Sequence, residues 1–169
     1  MKLVKYILAL SGAAILFSSC EKKDYPAGLS EFDHHYYAVF VPNNNTGVSV
    51  TRTQTALIKF PVQFYSTFVR SYDAVAQYTI VNPATGAAVL DQDYSIVDKN
   101  GNSIQPDGSG AYSMVFPKAV QATDTIYIKL LNSSVTGTRK MEVQIMENKT
   151  DEFYVDIFST AFRRPVEIK

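Results

Sequence analysis

Ala56-Leu57-Ile58-Lys59-Phe60-Pro61-Val62-Gln63-Phe64-Tyr65 decides the fold. Ile58, Phe60, Val62 and Phe64 fall on one side of a period of two. Leu57, Lys59, Pro61, Gln63 and Tyr65 fall on the other, which is mixed. That period belongs to a strand with one buried face and one face toward water. Pro61 has no N–H to give a neighbour, which assigns the strand to an edge or a bulge.

The same pattern runs outward in both directions. Strands are expected over 36–41, 74–81, 93–97, 112–116, 125–131 and 140–146, and the shorter segments 47–51, 153–158 and 166–168 are candidates for local pairing or for final strands. Turn signals separate them: Pro42 with Asn43-Asn44-Asn45-Thr46-Gly47, then Asn82-Pro83-Ala84-Thr85-Gly86, then Asp98-Lys99-Asn100-Gly101-Asn102. The Asn-Gly in the last is a hairpin signature. Arg163-Arg164-Pro165 reads as a solvated lead-in to the last strand. Tyr, Phe, Val, Ile and Thr recur and helical periods are scarce. Seven to nine short strands at this spacing predict an all-β, antiparallel, Ig-like sandwich.

The N-terminus has a different grammar. Lys2 and Lys5 precede an apolar run over 6–17, and Ser18-Ser19-Cys20 follows. This is the pattern of a secretory signal peptide. The run is about a dozen residues, short of the roughly 20 that a spanning helix needs. Cys20 is the sole cysteine, so no disulfide can form within the chain. Its position marks it for lipidation, and acyl chains of the palmitate type would each anchor by about 0.8 kcal/mol per buried methylene. The expected organisation is a cleaved signal helix over 1–19, a lipidated tether over 20–33 and a β-sandwich domain over 34–169. Glu21-Lys22-Lys23-Asp24 makes the tether charged.

Two resemblances follow from these residues. Leu16-Phe17-Ser18-Ser19-Cys20 resembles the loose lipoboxes of Bacteroidota lipoproteins, with the leucine displaced by one position. That implies an outer-membrane protein on the periplasmic or cell-surface face, beside glycan-uptake systems. Ala76-Gln77-Tyr78-Thr79-Ile80-Val81, Ala87 to Tyr94, Met114-Val115-Phe116, Asp124 to Leu130 and Arg139 to Ile145 together resemble the Calx-beta pattern over roughly 57–146. The resemblance implies an Ig-like sandwich, and some members bind calcium at acidic loops. Here Asp91 stands where a glycine is usual. Asn132-Ser133 and Val135-Thr136-Gly137-Thr138 stand where acids are expected. Calcium takes six to eight oxygen ligands, so Asp91 and Asp93 are weak candidates and Asp93 is expected to bond turn backbone instead.

Composition excludes several functions. Without the first 20 residues the chain holds 14 basic and 16 acidic residues, a balance unlike a nucleic-acid binder. His34-His35 is the only histidine pair; adjacent strand residues face opposite ways, and no third ligand completes a zinc site, so both are expected in solvent. The loop acids Asp91, Asp93, Asp98, Asp107, Asp124, Asp151 and Glu152 show no pairing that glycoside hydrolysis requires. No catalytic residue and no cofactor is expected. Nine tyrosines lie on or beside strands: Tyr36, Tyr37, Tyr65, Tyr72, Tyr78, Tyr94, Tyr112, Tyr127 and Tyr154. Core and cross-strand packing is the ordinary use of such rings, but an exposed cluster could stack on sugars. The expected function is that of a non-enzymatic binding module with a glycan or outer-membrane protein as partner. The alternative is an assembly subunit that works through a sheet edge.

Overall fold

The computed structural model describes residues 34–169, so the signal peptide, Cys20 and the tether lie outside the described residues. Eleven strands follow in order: β1 His35–Phe40, β2 Val48–Val50, β3 Ile58–Tyr65, β4 Ala74–Val81, β5 Tyr94–Val97, β6 Tyr112–Phe116, β7 Ala122–Leu130, β8 Arg139–Met146, β9 Asn148–Lys149, β10 Tyr154–Ile157 and β11 Arg163–Ile168. They form a six-stranded sheet, β5-β7-β3-β1-β10-β9, and a five-stranded sheet, β2-β11-β8-β4-β6. The sandwich is the expected fold. The count exceeds seven to nine because some ladders, such as the two residues of β9, are too short to carry a readable period. Two pairings, β1 with β10 and β2 with β11, are parallel within an otherwise antiparallel structure.

Strand β3 corrects the edge expectation drawn from Pro61. It is paired on both sides, by β1 and by β7. A strand residue points its N–H and C=O the same way, and the Pro61 carbonyl accepts from the Val41 N–H at 2.9 Å. The missing donor therefore faces the stretch just beyond Phe40, where β1 has ended. A central strand tolerates this proline because its neighbour stops there.

Inner faces alternate as the period of two requires. Phe60, Val62, Phe64, Ile126 and Ile128 from one sheet meet Ala76, Tyr78, Met114, Phe116 and Val143 from the other. The Phe64 ring stacks on Phe116 at 4.6 Å across the sheets and contacts Tyr36 at 5.1 Å. Tyr94, fully inside, has its phenol pushed up to about 12 by burial and then by Tyr112 and two nearby aspartates.

The solvated lead-in at 163–165 is also corrected, since these residues belong to β11. Arg164 is only 3% exposed. It lies in phase with Val166 and Ile168, and its guanidinium donates to the carbonyls of Pro42 and Asn44 while sitting 4.8 Å from the Phe40 ring centroid. Burial lowers its pKa, and the carbonyl oxygens supply what water would have. Phe64→Ala should cost about 3–5 kcal/mol of stability, since the facing sheets cannot collapse onto the gap. Urea denaturation at unchanged slope measures it.

Candidate functional site

The parity of each strand sorts the tyrosines. Tyr36, Tyr78, Tyr94 and Tyr112 face inward and are buried. Tyr37, Tyr65, Tyr127 and Tyr154 lie on the outer face of the six-stranded sheet and stay half-exposed. Three of these are brought together across β3, β1 and β10. Tyr65 is the register partner of Tyr37, and His35 is the partner of Tyr154. The His35 ring stacks between Tyr154 at 4.6 Å and Tyr37 at 5.1 Å, and Phe158 meets Tyr37 edge-on at 5.7 Å. Tyr127 stands apart, opposite Lys59 at the far end of β3.

Polar groups border these rings. His35 Nε2 lies 3.0 Å from Asp156 Oδ2. The Lys149 ammonium sits 5.7 Å from the Tyr154 centroid. Burial, a hydrogen bond to Glu147 and the charge of Asp156 raise the Tyr154 pKa, while burial and then Asp156 raise that of Tyr37. Both phenols are therefore neutral at physiological pH. The arrangement is an amphipathic surface about 10 Å wide, from the spacing of three strands. It holds donors, acceptors and ring faces of the kind that recognise polyhydroxylated ligands. The expectation that both histidines lie free in solvent is corrected. His35 is stacked and hydrogen-bonded to Asp156, and His34 Nδ1 lies 2.9 Å from the Tyr72 hydroxyl.

The loop acids Asp98 and Asp107 are taken up by their own turns, whereas Glu147 and Asp156 both hydrogen-bond the Tyr154 hydroxyl. Asp98 bonds the N–H groups of Asn100 and Asn102 within its own turn, and Asp107 does the same for Ser109 and Ala111. Among the described residues no group of three His, Cys, Asp or Glu side chains is placed to hold a metal ion. Asp91 is exposed with φ 61°, and Asp93 is buried. The oxygens of Asp93 are taken by Ser133 Oγ at 2.5 Å, the Val89 N–H at 2.9 Å and Arg52 Nη1 at 3.1 Å. Arg52 donates onward to Ser133 and to the Gly137 carbonyl. Burial by itself would raise the Asp93 pKa. The hydrogen bonds from Ser133 and Val89, with the charges of Arg139 and Arg52, outweigh it and hold the carboxyl below its ordinary range. With its oxygens already accepting from a hydroxyl, a backbone N–H and a guanidinium, Asp93 is committed to holding the loop together.

Arg164 belongs to the stretch expected as a solvated lead-in, and Arg52 and Asp156 have no place among the residues the sequence points to. Arg164 had a signal, since it shares the parity of the apolar residues that follow. Arg52 and Asp156 had none, for their partners are 41 and 121 positions away.

No protein-family model and no curated protein matches the sequence. Solved structures do. The fold is similar to that of Calx-beta domains. An apo-form Calx CBD1 domain is 13% identical with a TM-score of 0.48, and the match covers 79% of this chain and 97% of that one. A Calx CBD2 domain is 12% identical with a TM-score of 0.47, over 78% and 85% of the two chains. The calcium binding domain CBD12 of CALX1.1 is 15% identical with a TM-score of 0.45, over 78% and 44%.

Asp93→Ala strands Arg52 and Ser133, so it should cost about 3–5 kcal/mol. The sign with pH follows from the lowered pKa of the folded state. The contribution of Asp93 is full above the unfolded value of about 4 and is lost as pH falls through the folded value. Melting temperatures between neutral pH and pH 2 should fall more steeply for the wild type than for Asp93→Asn.

Proposed function

We propose that this chain is a lipid-anchored, extracytoplasmic binding module without catalytic activity, and that its ligand is a glycan presented at the outer membrane. The observation that carries the reading is the outward grouping of His35, Tyr37, Tyr65 and Tyr154. Rings that served only the core would lie inside, as Tyr36 and Tyr94 do, whereas these remain half-exposed beside Asp156 and Lys149. The lipobox-like Ser18-Ser19-Cys20 supports the anchor. The protein is expected to be retarded in affinity gels by one polysaccharide of a broad panel, with retardation lost in Tyr37→Ala/Tyr65→Ala. Those outer-face changes should cost at most about 1 kcal/mol per pair, so the variant stays folded. Equal migration of wild type and variant through every gel would sink the glycan reading.

A second reading, assembly through a sheet edge, rests on β6. The Val75 carbonyl accepts from Asn148 on the side away from β6, so Val75 and Gln77 do not bond to it. Their partners Val115 and Ser113 accordingly aim two N–H and two C=O groups outward. Asp107 covers this edge as far as Ala111 and no farther. Edge β5 is covered by Ser103 and Ile104, and Val115 is 53% exposed, without a charge in β6 to guard it. In an antiparallel pairing of two copies, Ser113 would stand opposite Val115. On this reading, sedimentation shows a dimer that grows with concentration and disappears in Val115→Lys. A monomer at every concentration would exclude self-pairing.

A further inference from the structure

We propose that one end of the sandwich is a membrane-seated tip, in which Phe68, Val69 and Val120 enter the lipid interface beside the acyl anchor. The proposal rests on the lipid-anchor reading above and adds to it an orientation and a second contact.

The tip is built from the β3–β4 loop and the β6–β7 segment. Arg70 N–H donates to the Lys118 carbonyl at 2.8 Å, and the Lys118 N–H donates to Asp73 Oδ1 at 2.9 Å. Ser66 Oγ bonds the Phe68 carbonyl. These bonds hold three apolar side chains outward on a braced frame: Val69 is 69% exposed, Val120 42% and Phe68 40%. Val69 is the most exposed large apolar residue among those described. Elsewhere exposed valines stand singly on strands and turns, as is ordinary for a soluble surface. Here they crowd two neighbouring loops, which is the pattern of a contact site.

The chain itself indicates what the tip meets. Residue 34 lies at this end: His34 Nδ1 is 2.9 Å from the Tyr72 hydroxyl, which bonds the Tyr36 hydroxyl at 2.7 Å, and Arg70 Nε reaches that same oxygen at 3.0 Å. Only 13 residues separate Cys20 from His34. Even drawn straight they reach no more than about 50 Å. An acylated Cys20 is thus attached at this end, nearer to it than to the Asp93 end, and raises the effective concentration of lipid at the loops. The charges at the tip nearly cancel, with Arg70 and Lys118 beside Asp73, Asp151 and Glu152. The Arg70 guanidinium lies 5.5 Å from the Phe68 centroid, placed to reach headgroups while the ring goes deeper. The contact is therefore apolar in origin and insensitive to salt.

The chain contains no tryptophan, so a single one reports its own surroundings. The acylated chain carrying Val69→Trp is placed on phosphatidylethanolamine–phosphatidylglycerol vesicles, with Val89→Trp at the opposite end as control. Emission at position 69 should move to shorter wavelength and be quenched by brominated acyl chains, at low and high salt alike, while position 89 stays solvated. Phe68→Ser in the Val69→Trp background should weaken the quenching. Solvent-like emission at 69 from vesicle-bound, acylated protein overturns the tip and leaves the anchor standing, as does equal quenching at 69 and 89. An unmodified Cys20 in the mass of the mature chain removes the anchor reading and the tip with it.

Discussion

The sandwich depends on β3 being held on three sides. Its backbone edges are taken by β1 and β7, and its inner side chains Ile58, Phe60, Val62 and Phe64 fill the space between the sheets. A slip of one residue would send Lys59 and Gln63 inward and the phenylalanines out, so the register admits no neighbour state. Phe64 then carries the constraint across the layers through its stack on Phe116. That contact fixes how the two sheets face each other, and with them the positions of the outer rings and the end loops.

Two cations, Arg164 buried and Arg52 half-buried, secure what the apolar core cannot reach. Arg164 ties β11 to the turn after β1 through the carbonyls of Pro42 and Asn44. Arg52 ties the segment after β2 to Asp93 and Ser133 at one end of the sandwich. In each case burial of charge is offset by several oxygen partners, which is the condition under which buried charge is tolerated. The Asp93 end is thereby closed by its own side chains. The opposite end has loops braced by their own hydrogen bonds and leaves its apolar tips outside.

How far the chain could be read in advance follows from the range of the forces involved. Strand periods and turns are local, so β3, β4, β7 and β8 are legible from the alternation of their own residues. The place of Pro61 is not, because it depends on where β1 stops. The stacking of His35 between Tyr37 and Tyr154 is equally hidden, since it arises from a parallel register joining segments more than a hundred residues apart. The tyrosines show the limit most plainly. Tyr36 and Tyr37 are neighbours of one type, yet strand parity sends one into the core and the other to the surface. Parity could be read, but which outer rings gather could not, since that requires the order of strands in the sheet.

The two proposed surfaces also constrain each other. His35 and Tyr154 lie at the start of β1 and β10, and the Tyr154 N–H bonds the His34 carbonyl. Tyr65 is the last residue of β3, just before the loop that carries Phe68 and Val69. At about 3.3 Å per residue, the aromatic face thus begins within roughly 10 Å of the tip. A domain seated by that tip would hold a bound ligand low against the bilayer, with the strands of the six-stranded sheet rising away from it. Such a ligand would be long and flexible enough to lie along the membrane, or already held there by another protein. A glycan chain awaiting transport meets that description better than a compact soluble molecule, which would find the face half-shielded by the bilayer itself.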